Sequence, residues 1–97
     1  MDLQAFEDSL GEGAPPPGLA PALVGLWHAL RGEWEEAHDA VQPSDAACSW
    51  VHGILHREEG DLPNARYWYR RAERPEGEGD LRDEYRDAAA ILLEESA

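Results

Sequence analysis

Apolar residues recur at helical spacing along most of the chain and nowhere alternate with period two over a useful length, which predicts helices and no sheet. Leu3, Phe6 and Leu10 share one helical face before Gly11, Gly13 and the run Pro15, Pro16, Pro17 break it, so residues 1–18 read as a short docking helix or arm followed by a linker. Residues 19–31 are apolar on nearly every side and stop at Gly32. Residues 33–42 then carry a stripe of Trp34, Ala37, His38 and Val41 opposed by Glu35, Glu36 and Asp39. Together, residues 19–42 predict a first helical hairpin, closed by Pro43. Ser44 or Asp45 can cap the next helix, which runs to Glu59 and stops at Gly60; Asp61 caps its partner, with Pro63 tolerated in the first turn, so residues 44–74 predict a second hairpin. An acidic loop over residues 75–79 leads to a last helix over 80–95, whose Leu81, Tyr85, Ala88 and Leu92 make one apolar face and which reads as a capping helix. At 97 residues the expected architecture is one all-α domain.

The two hairpins repeat each other. Gly25, His28, Gly32 and Ala37 align with Gly53, His56, Gly60 and Ala65 at a constant offset of 28 residues. Each match has a physical use: a glycine at Gly25 and Gly53 lets paired helices approach, one at Gly32 and Gly60 supplies a left-handed turn, and Ala37 and Ala65 keep the second helix close to the first. In this pattern the chain resembles tetratricopeptide repeats. The second hairpin is the fuller match, with Gly53, Gly60, Ala65, Tyr69 and Ala72 at the family's small, glycine, alanine and aromatic places, whereas Val41 replaces the aromatic in the first. The offset of 28 is shorter than the usual 34 and implies shortened connections. The string W50-V-H-G-I-L-H-R57 followed by G60-D-L-P-N-A-R-Y-W-Y-R-R71 also looks like a family of short bacterial and fungal proteins with a similar tryptophan, histidine and arginine pattern. The first resemblance implies a helical-repeat fold with a protein-binding tendency; the second implies no activity.

Composition narrows the partners. With 42% hydrophobic residues, four tryptophans and three tyrosines the chain should fold. Its net charge of −13 repels phosphate backbones and anionic lipid, so neither nucleic acid nor a membrane is an expected partner. The longest apolar stretch, residues 19–30, is broken by Pro21 and His28 and is short of the roughly 20 residues that span a bilayer. The opening residues, with Asp2, Glu7 and Asp8, lack the basic and apolar regions of a signal peptide, and Cys48 is the lone cysteine, so a cytoplasmic location without an intrachain disulfide is expected. All eight basic residues are arginine, which reads as a coding bias.

Two groups of side chains carry chemistry. Cys48, His52 and His56 are spaced by four on the third helix, and His28 holds the place equivalent to His56, so these four residues form a candidate pocket or metal set. The H-x-x-x-H encloses Gly53, Ile54 and Leu55 and lacks the glutamate of the H-E-x-x-H signature, which removes a catalytic zinc of that kind. The competing reading packs the histidines between helices, each donating to a carbonyl or carboxylate, since Ala47, Trp50, Val51, Ile54 and Leu55 already make a second apolar side; His38, on the stripe of its own helix, reads the same way. The other group is Arg57, Arg66, Arg70, Arg71 and Arg74, interleaved with Tyr67, Trp68 and Tyr69, which could clamp an anionic group or pair with Glu58, Glu59, Asp61 and Glu73 as a solvated face. Trp68 and Tyr69 share a stripe with Ala65 and Ala72 and read as core.

No nucleophile elbow, phosphate loop or paired-acid motif is present, and Cys48 with His52 lacks a third group to orient the base. No catalytic residue, metal or cofactor is therefore assigned, and an enzyme is not the expectation. The expected function is a protein or peptide interaction module that binds on the inner side of the hairpins through Trp50, Ile54 and Arg57, with Arg66 and Arg70 beside them. A small-ligand or metal pocket lined by Cys48, His52, His56 and His28, conceivably hydrolytic, is the alternative; homo-oligomerisation through an exposed apolar helix is the third.

Overall fold

The computed structural model describes residues 1–96. Six helices form among the described residues and no strand does: α1 (Leu3–Ser9), α2 (Pro21–Leu30), α3 (Trp34–Ala40), α4 (Ala46–Glu58), α5 (Leu62–Arg71) and α6 (Leu81–Glu95). The chain is all-α, as its periodicity predicts. Asp45 and Asp61 cap as the sequence predicts, accepting from the Cys48 and Asn64 N–H groups, and the structure adds Asp80, which accepts from the Asp83 N–H. Like α5, which ends at Arg71, α3 is shorter than its stripe. Glu33 sits at its N-cap without a side-chain cap bond, because its carboxylate is turned back to Arg31 and His28, and Pro43 keeps the chain from continuing past Val41.

Consecutive helices pack as pairs, α2 with α3 and α4 with α5. Gly25 is what lets the first pair close: a Cβ there would collide with the Val41 side chain. Between α4 and α5, Gly60 adopts φ +86° and closes the turn, with its N–H on Arg57 O and the Asp61 N–H on His56 O. The core runs from Leu26 and Trp27 through Ala37, Val41, Val51, Ile54 and Leu55 to Tyr69 and Ala88. In α4 every residue over 48–56 is buried, so this helix has neighbours on all sides.

The termini lock this frame. The first ten residues are a docking helix: Phe6 is fully buried, Glu7 receives two hydrogen bonds from Arg86 on α6 at 3.0 and 3.2 Å, and Trp27 Nε1 donates to Ser9. Helix α6 lies across both α2 and α4. Its Glu84 accepts from Arg57 at 2.7 Å and from the Tyr69 hydroxyl at 2.6 Å, while its Tyr85 donates to Glu58. No described helix is long and apolar enough to cross a membrane.

Candidate metal site between the helix pairs

The arginine and tryptophan surface expected on the inner side of the hairpins lies where α6 packs. Ile54 is fully buried and Trp50 is 8% exposed, roofed by the Arg74 guanidinium at 4.0 Å from its ring centre. Arg57 is held by Glu84 and the Gly79 carbonyl. Helix α6 occupies the face on which these three residues were to meet a peptide. Arg66 and Arg70 remain outside, Arg66 half-exposed and paired with Glu76 at 3.2 Å, Arg70 exposed.

The histidines are brought together, in a different set from that which the spacing suggests. His52 and His56 come from successive turns of α4, and the third member is His38 from α3. One ligand nitrogen of each can be chosen so that all three lie within 4.8 Å of one another. His52 and His56 are 4% and 7% exposed, and His38 is half-buried. Two indoles wall the cluster: Trp34 lies flat on His38 with ring centres 4.9 Å apart, and Trp68 lies flat on His52 at 4.1 Å. Trp34 is fixed in turn by its Nε1, which donates to Leu55 O at 2.8 Å. The cluster is thus built by α3, α4 and α5.

Cys48 and His28 are not members. Cys48 is fully buried one turn before His52, and burial, reinforced by Asp45, pushes its thiol up to about 12, so it stays protonated and is a poor ligand. His28 donates from Nδ1 to the Glu33 carboxylate, 2.8 Å away. The repeat gives it the place of His56 but not the neighbours: the helix before α2 is α1, which carries no histidine.

Within the cluster the nitrogens are unequal. The Nδ1 of His56 lies 2.6 Å from a Glu59 carboxylate oxygen, which can only accept, so Nδ1 carries a proton and Nε2 is the nitrogen whose lone pair a metal would take. His52 meets no such partner, and its Nδ1 is a buried nitrogen without a hydrogen bond among the described residues. Buried polar atoms are normally paired, so an orphan of this kind in a histidine cluster marks a site. Burial, then the neighbouring His38 and His56, lowers the basicity of His52 from 6.5 to about 4, so the ring is neutral at physiological pH.

That lowered basicity has a consequence for the metal-free protein. The unfolded chain protonates His52 near pH 6.5, whereas the fold resists until about pH 4. The contribution is therefore complete above pH 6.5 and is lost as the pH falls to 4, a loss on the order of 3 kcal/mol. Urea titrations at pH 7 and pH 4.5 measure it. In a His52→Gln variant the difference should shrink, and an equal difference in both proteins would place the acid sensitivity elsewhere.

Sequence reasoning missed His38 and Glu59. The signal for His38 was its place on the buried stripe of the helix that precedes α4; for Glu59 it was the i, i+3 spacing from His56, which lets a carboxylate reach the ring. No family model, curated protein or solved structure matches the chain. The site is thus read from its own geometry.

Proposed function

We propose that this chain is a small helical domain that binds one divalent transition-metal ion through His38, His52 and His56. The observation that carries the reading is the convergence of three imidazoles, two of them buried, with ligand nitrogens within 4.8 Å. Imidazole nitrogen suits Zn²⁺, Cu²⁺ and Ni²⁺, and hard ions such as Mg²⁺ and Ca²⁺ prefer oxygen. The carboxylate on the far nitrogen of His56 is the arrangement that orients metal-bound histidines. Three nitrogens leave a fourth position for water or another ligand. The test is the metal content of untagged protein together with a Zn²⁺ titration. One ion per chain is expected, and Zn²⁺ binding that is no weaker in a His52→Ala, His56→Ala variant would remove the reading.

The helix pairs and their turns support a tetratricopeptide-like kinship, and with it a second, partner-binding reading on a different face. Arg66, Arg70 and Arg74 line a cavity of about 240 Å³ on α5 with Tyr69 and Glu76. Glu76 already sits there as an internal carboxylate, so an acidic peptide is the ligand whose charge fits. Such a peptide should bind less tightly to an Arg66→Ala, Arg70→Ala variant; equal affinity would count against this face.

A further inference from the structure

The three ligands do not stand on equal supports. Helix α4 is 13 residues long, capped by Asp45 and buried on all sides through residues 48–56, so His52 and His56 are fixed one turn apart on a rigid element. Helix α3 is 7 residues long, has no side-chain cap, and buries only Ala37. Across to α4 it makes the Trp34 bond to Leu55 O and sets His38 edge-on to His52 with ring centres 4.8 Å apart.

A tetrahedral ion holds nitrogens at about 2.0–2.1 Å, which puts neighbouring nitrogens about 3.3 Å apart. The spread of up to 4.8 Å must therefore contract when an ion enters. A seven-residue helix with one buried residue yields more readily than a 13-residue helix packed on every side.

Glu59 has the complementary part. It lies just past the end of α4, at the C-cap, and its carboxylate fixes the Nδ1 proton and the ring orientation of His56, keeping Nε2 free. His28 is an internal comparison: it has a carboxylate at the same nitrogen, yet Glu33 is shared with Arg31 and no second imidazole faces it.

We infer that His52 and His56 form a ready-made half-site on α4, oriented by Glu59 as a positioning residue, and that metal binding draws His38 in on α3 to complete it. This rests on the metal-binding reading above. The ion is then a clasp between the first helix pair and the second, and its arrival is felt in α3 and passed to α2, against which α3 packs.

The experiment uses the full chain and Zn²⁺ alone. Amide hydrogen exchange is followed with and without saturating Zn²⁺, Zn²⁺ affinity is measured for wild type, His38→Ala and Glu59→Ala, and nitrogen-15 spectra of the metal-free protein report the His56 tautomer. In wild type, Zn²⁺ should slow exchange in residues 34–40 far more than in the middle of α4. His38→Ala should lose that protection and bind more weakly by more than the tenfold to hundredfold of an outer-shell change. Glu59→Ala, which leaves no side-chain acceptor at this position, should bind about tenfold to hundredfold more weakly, regain α3 protection once saturated, and shift the His56 proton away from Nδ1 before any metal is added. Circular dichroism of each variant checks folding, and a His38→Gln variant replaces His38→Ala if the latter melts early. Unchanged affinity in both His38 variants, or unaltered α3 exchange in saturated wild type, overturns the closure and leaves metal binding standing. Wild-type affinity and tautomer in Glu59→Ala overturn its positioning part. A wild type that binds no Zn²⁺ overturns the underlying reading and the closure with it.

Discussion

Saturating Zn²⁺ should raise the melting temperature of the wild-type chain on the order of 10 °C, and replacing both His52 and His56 with alanine should abolish that rise. An ion at a hundred times its dissociation constant adds about 2.7 kcal/mol to a state that binds it, provided the unfolded chain does not. For a domain of this size each kcal/mol moves the midpoint by about 4–8 °C. The unfolded chain keeps the four-residue spacing of His52 and His56 but loses His38, so its own affinity is lower and most of the effect survives. The double variant loses two of three ligands and keeps the fold's remaining core, and its scan with Zn²⁺ should overlay its scan without. Differential scanning calorimetry decides the matter. A rise of equal size in the variant would mean that the ion sits elsewhere, for instance among the surface carboxylates.

The second large effect lies on α6. Replacing Glu84 with glutamine should cost about 3 kcal/mol in urea unfolding, because it leaves the Arg57 guanidinium without its counter-charge in a largely enclosed position. The pair is 18% and 12% exposed, and the same carboxylate accepts the Tyr69 hydroxyl. Residues 75–79 close over it so tightly that a Cβ at Gly77 would collide with the Glu84 carboxylate. Surface pairs such as Arg66 with Glu76 should give well under 1 kcal/mol by comparison. A double-mutant cycle with Arg57→Ala separates the pair from the packing around it. If Glu84→Gln melted where wild type does, α6 would be held by its apolar face and its remaining polar ties, such as Arg86 with Glu7 and Tyr85 with Glu58, without help from the Arg57 pair.

The helices were legible because their signals are local. Periodicity, aspartates at N-caps and glycines at turns act within a few residues, and α1, α2, α4, α5 and α6 all lie where those signals put them. What an amphipathic helix packs against is not local. The apolar face of Leu81, Tyr85, Ala88 and Leu92 announces that α6 must be covered, but not that it covers α2 and α4 and so occupies the face allotted to a peptide.

The same distinction divides the site. His52 and His56 could be paired from their spacing, since four residues make one turn. His38 could not, because its proximity depends on how α3 leans on α4. Spacing also pointed to Cys48, which obeys the i, i+4 rule but is buried beside Asp45 with its proton retained. The 28-residue duplication pointed to His28 by position, and position in a repeat does not carry the neighbours with it.

Trp34 and Trp68 lie flat against His38 and His52, whereas Trp27 and Trp50 lie under Arg31 and Arg74. An excited indole loses emission to a stacked imidazole that has become electron-poor, whether by a proton or by an ion. Two of the four indoles therefore touch the cluster, while the other two sit under guanidinium groups, Trp27 also edge-on to His28, so a change of charge at the cluster should be read first in the emission of Trp34 and Trp68.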